Sequence, residues 1–159
     1  MEHHLTTGGW TYDWLWGIAL IVASAIIHGF GLMMIALGIQ KALNVAERFR
    51  VLRPLERFFI AIAATSLSLV VLHGLEASLW ALVLVWLDAC PNFRSAIYFS
   101  LQMATTLGAD VVQLADAWRL MGPLEGISGM LMFGTSTAFL FAVMRRAWPY
   151  PERESDQHL

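Results

Sequence analysis

Charge is what this sequence has least of. Only 14% of its 159 residues are charged while 58% are hydrophobic, and Trp14 to Gln40 runs for 27 positions without Asp, Glu, Lys or Arg. Soluble globular domains carry about 25% charged residues, so the composition excludes that class and assigns the chain to a membrane. The single cysteine, Cys90 in "CPNF", excludes an intramolecular disulfide and has no metal-ligating neighbour in sequence. No Lys or Arg precedes the first apolar run in "MEHHLTTGGWTYDW". That run is also longer than the core of a signal peptide, so it is expected to be retained. Regularly spaced arginines are missing from the first two apolar segments, which excludes a voltage-sensing helix. Internal repeats, a phosphate-binding glycine loop and a basic face for nucleic acid are absent as well.

What the chain has instead is length without charge. Three segments qualify as membrane spans: Trp14 to Gln40, Phe58 to Leu87 (interrupted by "HGLE") and the 19 uncharged residues Gly126 to Met144. A hydrocarbon core of ~30 Å takes ~20 helical residues, so each crosses once and the second must tilt or overshoot. Eight of the ten basic residues fall in the 41–57 connection or the tail, and only Arg94 and Arg119 lie elsewhere. The positive-inside rule then makes the 41–57 connection and the C-terminus cytoplasmic, with the N-terminus and residues 88–121 outside. Tryptophans 10, 14, 16, 86, 118 and 148 sit near predicted span ends, as interfacial anchors do. The expected order is an external N-terminus (1–13), a first transmembrane helix (14–41) and an interfacial linker (42–57). A larger module (58–146) and a polar cytoplasmic tail (147–159) follow. Within the linker, Val45, Phe49 and Leu52 at helical spacing predict a short surface helix ending before Pro54.

The 34 residues between the second and third spans are too many for a hairpin. "PNFRSAIYFSLQMATT" reads as a helix start at Pro91-Asn92 followed by about a dozen mostly apolar residues, too few to span. A helix of that kind dips into the membrane and returns, which hydrocarbon permits only where the returning backbone is buried in protein or lines water. Within the second span His73 and Glu76 stand three apart on one helix face. His73 is about 24 Å along the axis from Arg57 at 1.5 Å per residue, and Glu125 opens the third span at a comparable depth. Intramembrane ionisable residues mark function. Three readings follow: a structural network with His73 donating to Glu76 or Glu125, a proton- or metal-sensing site, and an intramembrane metal enzyme. His28 and His73, one per helix, also suit bis-histidine haem ligation.

The run "AIYFSLQMATTLG", with "WRLMGPLEGISGMLMFGTSTAFLFAVMRR" after it, resembles the pore module of bacterial potassium-channel-like proteins, the pore-loop or two-pore-domain type. The resemblance covers roughly residues 58–146 and implies an all-α membrane fold: three transmembrane helices plus a re-entrant pore helix and filter loop per subunit, four subunits around an axis. It assigns Thr105, Thr106, Leu107 and Gly108 to the start of a filter whose carbonyls and threonine hydroxyl replace a cation's hydration shell. Where the family continues Tyr-Gly-Asp after that glycine, this chain has Ala109 and Asp110. The bracing tyrosine and second glycine are missing. Asp110 either faces the axis, giving a ring of four carboxylates suited to cations including divalent ones, or sits behind the loop and braces it. Gly126, Gly129 and Gly134 become hinge or close-packing points and Thr137, with Ser128, Thr135 and Ser136, a cavity lining.

The resulting expectation is a homotetrameric cation channel of the bacterial inner membrane, without enzymatic activity. It is poorly selective among potassium, sodium and calcium, which are bound only on the pore axis, and it has no other cofactor. The alternative is a non-conducting scaffold or partner subunit that engages an unidentified membrane protein.

Overall fold

The computed structural model describes residues 7–49, 53–108 and 112–149, and among these there are helices and turns but no strand. Four helices follow in order: α1 Thr7–Arg48, α2 Pro54–Trp86, α3 Phe93–Ala104 and α4 Met121–Ala147, with a 3₁₀ turn at Asp116–Trp118 before the last. Three helical stretches, Thr11–Arg48, Pro54–Trp86 and Asp116–Ala147, are long and apolar enough to cross a membrane. At 1.5 Å per residue α3 reaches only about 18 Å.

α1 outruns the uncharged segment that first marked it. It begins at Thr7 and continues through the charged residues after Gln40 to Arg48, so Val45 lies on the same helix rather than on a separate surface one. Lys41, Ala42, Leu43, Ala46, Glu47 and Arg48 are strong helix formers, and no proline occurs before Pro54. α2 then starts with Pro54 at its first helical position, where a missing N–H is harmless. The Glu56 carboxylate accepts the Arg53 N–H at 3.0 Å. Asn92 begins α3 by accepting Ser95 N–H at 2.9 Å, satisfying one orphan donor of the first turn.

α2 and α3 end in the same way. After α2, Asp88 N–H bonds to Val85 O at 3.1 Å and Ala89 N–H to Leu84 O at 2.9 Å, with Asp88 at φ 53. After α3, Thr106 N–H bonds to Met103 O at 2.9 Å and Leu107 N–H to Gln102 O at 3.0 Å, with Thr106 at φ 60. Both are Schellman caps, whose left-handed residue is usually glycine. Aspartate tolerates that conformation; a β-branched threonine is strained in it.

The long helices pack in a constant register. Trp16 meets Trp86 edge to face with centroids 5.3 Å apart, Ser24 meets Trp80, His28 meets Glu76 and Gly31 meets Leu72, so α1 and α2 are antiparallel. Gly17 meets Leu124 and His28 meets Ser136, so α1 and α4 run parallel. α3 lies against α2 and α4, and Gly122, Gly126 and Gly129 of α4 form the surface that receives it. A Cβ on Gly129 would come within 2.6 Å of Ala104 Cα, and one on Gly122 within 3.1 Å of Phe99. Small residues let helix backbones approach at this distance.

α1 turns its more polar face inward. α1 buries Asp13, Gly17, Leu20, Ser24 and His28 along one narrow face, at the three- and four-residue steps of a single helical stripe. Ile18, Val22, Ile26, Phe30 and Met33 are exposed. An apolar cluster forms where α3 docks, built from Leu20, Trp80, Leu84, Ala96, Phe99, Leu114, Met121 and Leu124. The segment after α3 returns to this level, and Ala115 N–H donates to Ala89 O at 3.1 Å.

Candidate functional site

Below that apolar core lies a buried polar centre made by three helices. His28 on α1 is 2% exposed, and its Nδ1 is 2.8 Å from Glu76 Oε1 on α2. His73, one turn before Glu76, places Nδ1 3.2 Å from the other carboxylate oxygen, Oε2. On the far side of the two rings, Ser136 Oγ of α4 lies 3.0 Å from His73 Nε2 and 3.2 Å from His28 Nε2. The imidazole centroids are 5.3 Å apart, and Phe133 stacks on His73 at 4.3 Å. One carboxylate and one hydroxyl therefore bridge the same two rings at opposite edges.

Ser136 has one hydroxyl proton, so it donates to at most one of the two Nε2 atoms and can only accept from the other. Gathering the carboxylate, two imidazoles and a hydroxyl gives each polar group a partner at a depth where an unpaired one is expensive.

Hydroxyl use separates this centre from the rest of the bundle. Thr65, Ser68 and Ser78 donate to carbonyls four residues back in α2, as Thr137 does to Phe133 O at 2.8 Å. Such bonds satisfy a hydroxyl within its own helix. Ser136 and Ser24 instead reach across helices, Ser24 accepting Trp80 Nε1–H at 3.1 Å.

Glu125 stands apart from that centre. It is 1% exposed; its carboxylate faces the buried Ser100 hydroxyl but meets no group among the described residues in full hydrogen-bond geometry. It lines a cavity of about 40 Å³ together with Ser24, His73, Glu76, Ser128 and Thr105, room for one water. His73 thus stands in contact with Glu76, while Glu125 shares only the cavity with them.

Thr105, Thr106, Leu107 and Gly108 are all exposed at the end of α3; Ala109 and Asp110 lie outside the described residues. Thr105 Oγ1 donates to Leu101 O at 2.7 Å. Thr106 and Gly108 have positive φ, 60 and 81, and Leu107 between them does not. Of the α4 residues singled out in the sequence, Gly126 and Gly129 face α3 whereas nothing lies within 4 Å of a Cβ on Gly134. Thr137 is exposed. No family model matches the chain, and no significant match exists among curated proteins or solved structures.

The sequence pairs His28 with His73 only as a haem couple, and it joins neither His28 to Glu76 nor Ser136 to either histidine. A lone histidine in an apolar helix carries no signal of its partner. The available clue is the four-residue step between Ser24 and His28, which puts two polar side chains on one face of an otherwise apolar segment.

Proposed function

We propose that this chain is the subunit of a pore-loop cation channel in which several copies, four by the sequence resemblance, surround an axis lined by residues 105–110. The observation that carries the reading is the conformation and position of the α3 terminus. Alternating signs of φ turn successive N–H groups to one side of a chain and leave the carbonyls on the other, the arrangement a dehydrated cation requires. Thr106 and Gly108 provide that alternation.

Depth supports the same reading. The last α3 residue abuts Gly129, inside the apolar stretch of α4, yet the chain is back beside Ala89 by Ala115. Leu107 is 79% exposed, a large apolar side chain at the loop tip that a neighbouring subunit would cover. By the positive-inside rule the Arg145-Arg146 end is cytoplasmic in a bacterial inner membrane. Permeation is passive, and discrimination among potassium, sodium and calcium is weak because the tyrosine and second filter glycine are missing.

Reconstitution into liposomes with separate potassium, sodium and calcium gradients tests the proposal. Cation flux is expected, and it is expected to fall at least tenfold in Gly108→Val, whose side chain opposes a positive φ, without loss of the oligomer. Absence of flux for every cation across pH and voltage overturns conduction and leaves a channel-shaped scaffold.

A further inference from the structure

We propose that His28, His73 and Glu76 form a binding site for a transition-metal dication of the zinc or cobalt class, inside the helix bundle. One ligand atom from each residue can be chosen so that all three lie within 4.8 Å of one another. Two imidazoles and a carboxylate form a donor set that suits zinc, iron or cobalt; magnesium and calcium favour all-oxygen sites.

The distances fit an ion. In a tetrahedral site with bonds of ~2.0–2.1 Å, neighbouring ligand atoms are about 3.4 Å apart. His28 Nδ1 lies 2.8 Å from Glu76 Oε1 and His73 Nδ1 3.2 Å from Oε2, both shorter than that edge, so the carboxylate must withdraw for an ion to enter. Ser136 holds both Nε2 atoms and Phe133 fixes the His73 plane, the kind of outer contacts that orient metal-ligating histidines. A haem would have to separate rings that share one carboxylate, and the adjoining cavity of about 40 Å³ has no room for a macrocycle.

A fourth ligand position is available as well. Three protein donors plus water make an open zinc site, and the cavity beside His73 and Glu76 has room for one water. Glu125, buried and meeting no group among the described residues in full hydrogen-bond geometry, lines that cavity and supplies an acceptor for the bound water. The same cavity reaches Thr105, exposed at the end of α3, which gives the ion a way in.

Untagged full-length protein in detergent, with His3, His4 and His158 replaced by Gln so that only the two helical histidines of the chain's five remain, is titrated with Co²⁺ and back-titrated with Zn²⁺. One Co²⁺ per chain is expected, with the visible absorption of a low-coordinate ion, displaced by Zn²⁺. His73→Ala and Glu76→Ala are expected to weaken binding at least a hundredfold. Ser136→Ala, which leaves all three ligands, is expected to weaken it about tenfold. His28→Cys keeps a donor and is expected to retain the ion with a new thiolate-to-cobalt charge-transfer band, a gain that a misfolded variant cannot produce. Absence of Co²⁺ binding by the parent protein, or binding undiminished in His73→Ala, overturns the site. Binding is read on the isolated protein without flux, so failure of conduction and failure of the metal site are independent results.

Discussion

His28 Nδ1 and Glu76 Oε1 are 2.8 Å apart although 48 residues separate them in the chain. The pair ties α1 to α2, and Ser136 extends the tie to α4. Removing one partner of a buried hydrogen bond leaves the other unsatisfied and costs about 1–3 kcal/mol. Glu76→Ala is therefore expected to lower the thermal midpoint in detergent by well over the shift that a surface change gives. A loss below about 1 kcal/mol would show that the centre is solvated.

The glycines of α4 are expected to behave differently from one another. Gly129→Ala drives a Cβ into the Ala104 backbone, and overpacking of this kind costs about 1–3 kcal/mol. Gly134→Ala meets nothing within 4 Å and should fall within about 0.5 kcal/mol of the parent. Equal effects would mean that α3 does not dock on Gly129.

Thr106 holds a left-handed conformation, φ 60, that strains a β-branched residue. Backbone strain of this kind is worth about 1–3 kcal/mol, against 0.5–1 kcal/mol of added chain freedom for glycine. Thr106→Gly is expected to raise stability by about 1 kcal/mol while reducing cation flux in liposomes. A more stable protein with unchanged flux would separate the strain from the pore.

Cys90 is buried between α2 and α3. Burial pushes its thiol up, against a smaller opposing contribution from the Asn92 backbone. The folded chain therefore holds this proton more tightly than the unfolded chain does. Its contribution to stability is present below the ordinary thiol range, about pH 8.5, and is lost as pH rises beyond it. Alkylation at pH 7.5 should be slow in the native protein and fast in denaturant; rapid native labelling contradicts the burial.

Much of the helical plan was legible because hydrocarbon thickness makes long uncharged runs unambiguous. The start of α3 was readable from Pro91-Asn92, and the closeness of His73 to Glu76 from their spacing. The reach of α1 to Arg48 was not, since hydropathy reports where a helix leaves lipid and says little about where the helix ends. Nor was the partnership of His28 with Glu76, because the rotation of α1 about its axis is set by small contacts such as Gly17 on Leu124 and Gly31 on Leu72. Those contacts exist only once three helices are assembled.

The hydrogen bond from Ala115 N–H to Ala89 O joins the chain's departure from α2 to its return before α4. It makes the excursion between them a purse with a drawn string. A pull on α3 would reach α2 and α4 together instead of being absorbed by slack in the connections, and changes in loop length should be tolerated outside this closure far better than within it.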